Sequence, residues 1–137
     1  MAQRTLVLLK PDAVRRGLVG EILRRYETKG LSLVALEHRS ITGEDADAHY
    51  AEHVDRDFYP PLRAFVTSGP LVAAVLEGDE AIDVVRLLNG PTDGRAAAPG
   101  SIRGDLALSN RENLVHGSDS PESAEREIAL WFPNLGM

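Results

Sequence analysis

Thr5-Leu6-Val7-Leu8-Leu9 decides how this chain folds. The run is short, uncharged and almost wholly apolar, and Pro11-Asp12 follows it closely. That pattern predicts a strand buried in the middle of a sheet. Two further runs match it. Leu31 to Leu36 predicts a second strand, and Leu71-Val72-Ala73-Ala74-Val75-Leu76 a third. Gly104 to Leu108 predicts a fourth. Between them lie helical signals. Ile22, Leu23 and Tyr26 recur at helical spacing until Gly30 stops the helix. Thr42 opens Thr42-Gly43-Glu44-Asp45 as a cap. Pro60-Pro61-Leu62 begins a short helix closed by Ser68-Gly69-Pro70. Asp79 caps a helix that runs to Leu88 and ends at Gly90. Ser120-Pro121 opens the last helix, with proline at its favoured first position, and Pro133 ends it. The order is strand, helix, strand, helices, strand, helix, strand, helix. It predicts an α+β sandwich of the split βαβ type, with helices on one face of a four-stranded, mostly antiparallel sheet.

Composition narrows the function classes. With 137 residues the chain is expected to form one domain, residues 1–137, with a core of its own. It has no cysteine, which excludes disulfides and thiolate metal sites. The formal charge of −6 argues against non-specific binding to a nucleic-acid backbone. It leaves room for a small phosphate ligand held by a few converging cations. The start, Met1-Ala2-Gln3-Arg4, lacks the apolar run of a secretory signal, and no segment has the length of a membrane span, so a cytoplasmic protein is expected.

The chemistry concentrates in Asn113-Leu114-Val115-His116-Gly117-Ser118-Asp119-Ser120. A neutral imidazole is nucleophilic near pH 7, and glycine leaves the His116 ring no bulky neighbour on its C-terminal side. In the last helix Ala124, Ile128 and Trp131 share a face, and Glu127 lies at its margin. A carboxylate there needs a partner, and the His116 ring is the obvious one. Bound to one ring nitrogen, it would fix the tautomer and free the other nitrogen to attack. Lys10 at a strand end, Arg86 in a last helical turn and Arg103 near the end of a long loop are the cations best placed for phosphate. Neither GxxxxGK[ST] nor GxGxxG after a strand is present.

Two rival patterns compete with this reading. His49-Tyr50-Ala51-Glu52-His53 satisfies the inverted zinc-peptidase motif, although two solvent-facing histidines on a charged helix explain it better. Ser118, His116 and Glu127 could make a hydrolase triad, but Ser118 has no nucleophile elbow and is better read as a local hydrogen-bonding residue.

With those residues in place, the chain resembles the nucleoside diphosphate kinase family almost end to end. The likeness runs through Lys10-Pro11-Asp12, Arg16-Gly17-Leu18-Val19-Gly20-Glu21-Ile22, His49-Tyr50, Ser68-Gly69-Pro70, Pro99-Gly100-Ser101-Ile102-Arg103-Gly104-Asp105 and the stretch around His116. The short end after Trp131-Phe132-Pro133 resembles compact bacterial members. The resemblance implies a ferredoxin-like core and a ping-pong reaction with Mg²⁺ held mainly by the nucleotide. In it His116 would carry the phosphoryl group and Glu127 would orient the ring. Lys10 and Asn113 would meet the ribose 3′-hydroxyl, with Lys10 also on the transferring phosphate. Arg86, Thr92 and Arg103 would hold the diphosphate, and Tyr50 would sit near the phosphohistidine. Phe58 would stack on the base, backed by Leu62, while Ser118 and Asp119 support. A homo-oligomer is implied, hexamer favoured over tetramer. A silent nucleotide-binding module of the same fold is the alternative. Asp57, Gly94 and Asn110 depart from the family pattern, which bears on the base clamp and on assembly.

Overall fold

The computed structural model describes residues 2–135. Met1, and with Gly136 and Met137 the outer limits of the expected 1–137 domain, lie outside the described residues.

The elements in chain order are β1 (Ala2–Leu9), α1 (Pro11–Arg15), α2 (Val19–Lys29), β2 (Ser32–Arg39), α3 (Gly43–His49), α4 (Tyr59–Val66), β3 (Leu71–Asp79), α5 (Ala81–Asn89), α6 (Ile102–Leu106), β4 (Val115–Gly117) and α7 (Pro121–Trp131). The four strands form one sheet in the order β2-β3-β1-β4, the ferredoxin-like arrangement, and every pairing is antiparallel. β1 is central, as its apolar run requires. Side chains alternate across a strand, so Val7 and Leu9 enter one core with Val72, Ala74 and Leu76. Leu6 and Leu8 enter a second core with Leu71, Ala73 and Val75.

That alternation overturns the expectation of helices on one face only. Ala13 of α1, Ile22 and Tyr26 of α2, Val85 of α5 and Ile102 of α6 pack in the first core. Ala46 of α3, Tyr59 and Val66 of α4, and Ile128 and Trp131 of α7 pack in the second. The central strands are apolar on both sides, so both faces must be covered.

The fourth strand is also not where the pattern placed it. Gly104 lies inside α6, whose N-cap Ser101 accepts the Gly104 N–H at 3.0 Å. The Asp105 carboxylate takes the Gly100 N–H at 2.8 Å. These local caps outweigh the alternation in Gly104-Asp105-Leu106-Ala107-Leu108. The true fourth strand is Val115-His116-Gly117, at the edge beside β1 and too short for any periodic signal.

The start of α5 differs too. Asp79 is the last residue of β3, and the N-cap is Glu80, at φ +51° and without a side-chain cap. Gln3 of β1 supplies the missing acceptor, its Oε1 taking the Ile82 N–H at 3.0 Å. At the other caps the expectation holds. Thr42 and Asp45 form a reciprocal capping box, Ser120 accepts from Ser123 N–H, and Gly30 closes α2 at φ +115°.

Candidate active site

β4 lies on the edge of β1 with His116 opposite Leu8. Val115 packs in the first core, so alternation turns His116 to the other face, under α3 and α7. Gly117, the last residue of β4, leaves little room for a side chain. A Cβ there would meet Val85 Cγ1 at 3.0 Å and Asn89 Nδ2 at 3.1 Å.

Glu127 of α7 reaches the same spot. Its Oε1 lies 2.9 Å from His116 Nε2 and accepts the Ser118 hydroxyl at 2.8 Å. The carboxylate is buried, so these partners are what let it stay there. Ser118 Oγ in turn accepts the Leu6 N–H at 3.2 Å, tying the carboxylate to β1. The serine therefore orients an acid and is no nucleophile. His116 Nδ1 has no hydrogen-bond partner among the described residues.

A cleft of about 340 Å³ opens before this ring. Its lining brings together Lys10, Tyr50, Phe58, Leu62, Arg86, Thr92, Arg103, Asn113, His116, Asp119 and Glu127. Of the residues that the family resemblance assigned to the site, only Ser118 lies outside that lining, behind Glu127. Lys10 Nζ donates to Asn113 Oδ1 at 2.9 Å. Burial, then the Arg103 charge, pulls the Lys10 ammonium down to about 8, with Asp12 opposing. Arg103 is on α6 rather than in a loop. Its Nε donates to Asn113 O at 3.1 Å, its Nη1 to Gly90 O at 2.8 Å and its Nη2 to Val115 O. It thus clamps the strand that carries His116 while keeping N–H groups for a ligand, since a guanidinium has five. Arg86 Nη1 donates to Asp119 O at 3.4 Å. Asn113 Nδ2 donates to Thr92 O and Asn110 O, both at 3.0 Å.

Tyr50 lines the cleft; its hydroxyl is buried without a partner, and burial raises its pKa. Outward the cleft runs into a depression of about 610 Å³ shared with Leu108, Asn110 and Arg111. There Phe58 is 50 % exposed and Leu108 84 %.

Some residues escaped the sequence reading. α3 ends at His49, so His53 does not share a helix face with it. His49 is also buried, against both readings of the motif, and its Nδ1 accepts Trp131 Nε1–H at 2.9 Å. Arg126 lines the cleft and donates to Ala48 O and His49 O at 3.2 and 3.0 Å. Asp12, buried, accepts the Leu114 N–H at 3.1 Å, and burial raises its pKa. No signal in the sequence pointed to Arg126. For His49, its four-residue spacing from His53 drew attention to the wrong chemistry.

Gly94, which departs from the family pattern, is packed tightly. A Cβ there would lie 2.4 Å from Ala107 O and 2.6 Å from Ala107 Cβ. The loop has closed onto the residue after α6, so a proline would not fit this backbone.

Among the described residues no helix is long and apolar enough to cross a membrane. The family model for nucleoside diphosphate kinase matches residues 3–137. A nucleoside diphosphate kinase of a Nocardioides species is 76 % identical over 135 residues, covering 98 % of this chain and 100 % of its own. That of Mycobacteroides abscessus is 64 % identical over 136 residues, with the same coverage. Among solved structures, a halophilic nucleoside diphosphate kinase from Halobacterium salinarum in complex with CDP superposes with a TM-score of 0.95. It is 49 % identical, covering 98 % of this chain and 90 % of its own.

Proposed function

This chain belongs to the nucleoside diphosphate kinase family, and from that premise we propose that His116 is its phosphoryl carrier, with residues 1–137 forming one catalytic domain. It is a phosphotransferase that moves the terminal phosphoryl group of a nucleoside triphosphate to a nucleoside diphosphate in two ping-pong steps through a phosphohistidine. The observation that carries the assignment to His116 is its bond to Glu127. With Nε2 held at 2.9 Å by a buried carboxylate, the proton sits on Nε2, and the Nδ1 lone pair is the one left to attack.

In the first half-reaction Nδ1 attacks the terminal phosphorus, the bond to the bridging oxygen breaks, and its electron pair leaves with the nucleoside diphosphate. In the second, a terminal phosphate oxygen of another nucleoside diphosphate attacks, and the N–P bond returns its pair to Nδ1. Charge spreads over the phosphoryl oxygens in each step, so fixed cations and donors supply most of the catalysis. Lys10, directly after β1, supplies one in the cleft that His116 also lines, and with Asn113 meets the 3′-hydroxyl. The unpartnered Tyr50 hydroxyl is a ready donor for the phosphoryl group. Arg86, Thr92 and Arg103 hold the diphosphate, and Asp119 supports the wall with Arg86 on its carbonyl. Phe58 stacks on the base and Leu62 backs it. The CDP carried by the Halobacterium relative supports a nucleoside diphosphate as ligand.

The family's reaction uses a divalent cation, here proposed to be Mg²⁺. The carboxylates of the cleft are Glu52, Asp119 and Glu127, and Glu127 is committed to His116 and Ser118. That donor set suits an ion that enters on the nucleotide's phosphates, with no protein ligand of its own. When bound, it neutralises charge on the phosphate oxygens. We further propose a cytoplasmic homo-oligomer, hexamer before tetramer.

Incubation with Mg²⁺ and γ-labelled ATP tests the reading. The expected outcome is an acid-labile label on His116 that GDP removes. Nucleotide binding without any label would instead mark a silent binding module and sink the assignment.

A further inference from the structure

His49 takes no part in the chemistry above and does not line the cleft. It is 3 % exposed, directly behind the carrier. Its Nδ1 accepts the Trp131 indole N–H. An indole nitrogen only donates, so Nδ1 carries no proton, and that of the neutral ring lies on Nε2. This Nε2 is buried without a partner. Burial, reinforced by His116, Arg126, Lys10 and His53, pulls the His49 pKa well below the ordinary histidine range, so the ring is neutral.

The ring stands perpendicular to that of His116, with centroids 4.7 Å apart and planes at 81°. Trp131 backs it from 5.6 Å at 77°. A ring nitrogen of His49, one of His116 and an oxygen of Glu127 lie within 4.8 Å of one another. The Glu127 hydrogen bond pins one vertex of the His116 ring. A single bond leaves the ring free to swing about that vertex. A rigid perpendicular ring in contact with it removes that freedom.

We propose that His49 is a positioning residue: wedged between Trp131 and His116, it sets the plane of the His116 ring and so the direction in which Nδ1 faces the cleft. The inference rests on His116 being the carrier.

Single-turnover phosphorylation by Mg²⁺-ATP, followed as phosphohistidine, tests it in the native chain, His49→Ala and His49→Phe. His49→Ala is expected to slow the step about 30-fold, the scale of a misplaced reacting atom, with nucleotide affinity within about twofold of native. His49→Phe restores a ring to the wedge but leaves the Trp131 N–H unpaired. It is expected to melt lower than the native chain and yet regain most of the rate. The ¹⁵N signal of His116 Nδ1 should broaden in His49→Ala and sharpen again in His49→Phe. Equal rates in all three chains overturn the inference. So does a His49→Ala defect shared equally by affinity and rate that His49→Phe does not relieve. If the native chain forms no phosphohistidine at His116, the carrier assignment falls as well, which separates the two failures.

Discussion

The two ends of the cleft are built by different rules. At the phosphate end the groups nearest the imidazole are tied to the sheet. His116 is on β4, Glu127 is bound to it and, through Ser118, to the Leu6 backbone, and Lys10 follows β1 directly. At the outer end Phe58, Leu108 and Asn110 stand on connections between elements and are largely exposed. Bond-making demands placement within fractions of an ångström, and only packed elements hold groups that closely. A base read by its flat face tolerates movement, because every base has such a face. On the proposed assignment, one site joins a rigid chemistry to a permissive grip.

Mutations sort by which end they strike. His116→Ala removes the nucleophile and should cut turnover by about 10⁴-fold or more while nucleotide affinity, read by calorimetry, stays near native. Retained turnover would break the contrast outright. Glu127→Gln should slow transfer by about 10 to 10³-fold, since it weakens the hold on the ring without emptying the site. Stopped-flow phosphorylation measures this, and an unchanged rate would mean the carboxylate does not set the tautomer.

The third effect is a pH limb. Burial and Arg103 hold the Lys10 ammonium down to about 8. On the proposed role the charged form binds phosphate; it is present below that value, so kcat/KM should fall as pH rises through about 8. A profile flat to about pH 9 would show that the free enzyme does not use this charge. The smallest effect belongs to the outer end. Phe58→Ala should raise KM about fivefold with little change in kcat, the low end of a stacking contribution of about 1 kcal/mol for a ring half in water. A comparable loss for adenine, guanine and cytosine nucleotides is expected. A loss confined to one base would mean that edges are read as well as faces.

Much of this was legible in the chain. Apolar runs gave the buried β1 and β3 and the half-exposed edge strand β2, and caps marked most helices. The pairing of Glu127 with His116 followed from a carboxylate at the margin of an apolar stripe. What stayed hidden depends on contacts between distant segments. β4 has three residues, and only pairing with β1 makes it a strand. α6 looked like a strand until Ser101 and Asp105 capped it. The cap of α5 comes from Gln3, whose partner is 79 residues away. His49 reads as a surface histidine because its neighbours Glu44, Asp45, Asp47 and Glu52 are charged. Its burial is set by Trp131, 82 positions on. Gly94 stood out only as a departure from the family pattern, and the structure shows it packed against Ala107.

Leu114 carries a last consequence. It is fully buried at φ +74°, a conformation side chains rarely adopt. Its N–H is caught by Asp12 and its carbonyl by the Lys10 N–H at 2.8 Å. The segment that delivers the imidazole is thus latched to the opposite extremity of the polypeptide, 102 positions away. A nascent or half-denatured chain cannot assemble the reactive centre piecemeal. Competence to accept phosphate arrives together with closure of the whole fold, so phosphohistidine reports an intact molecule.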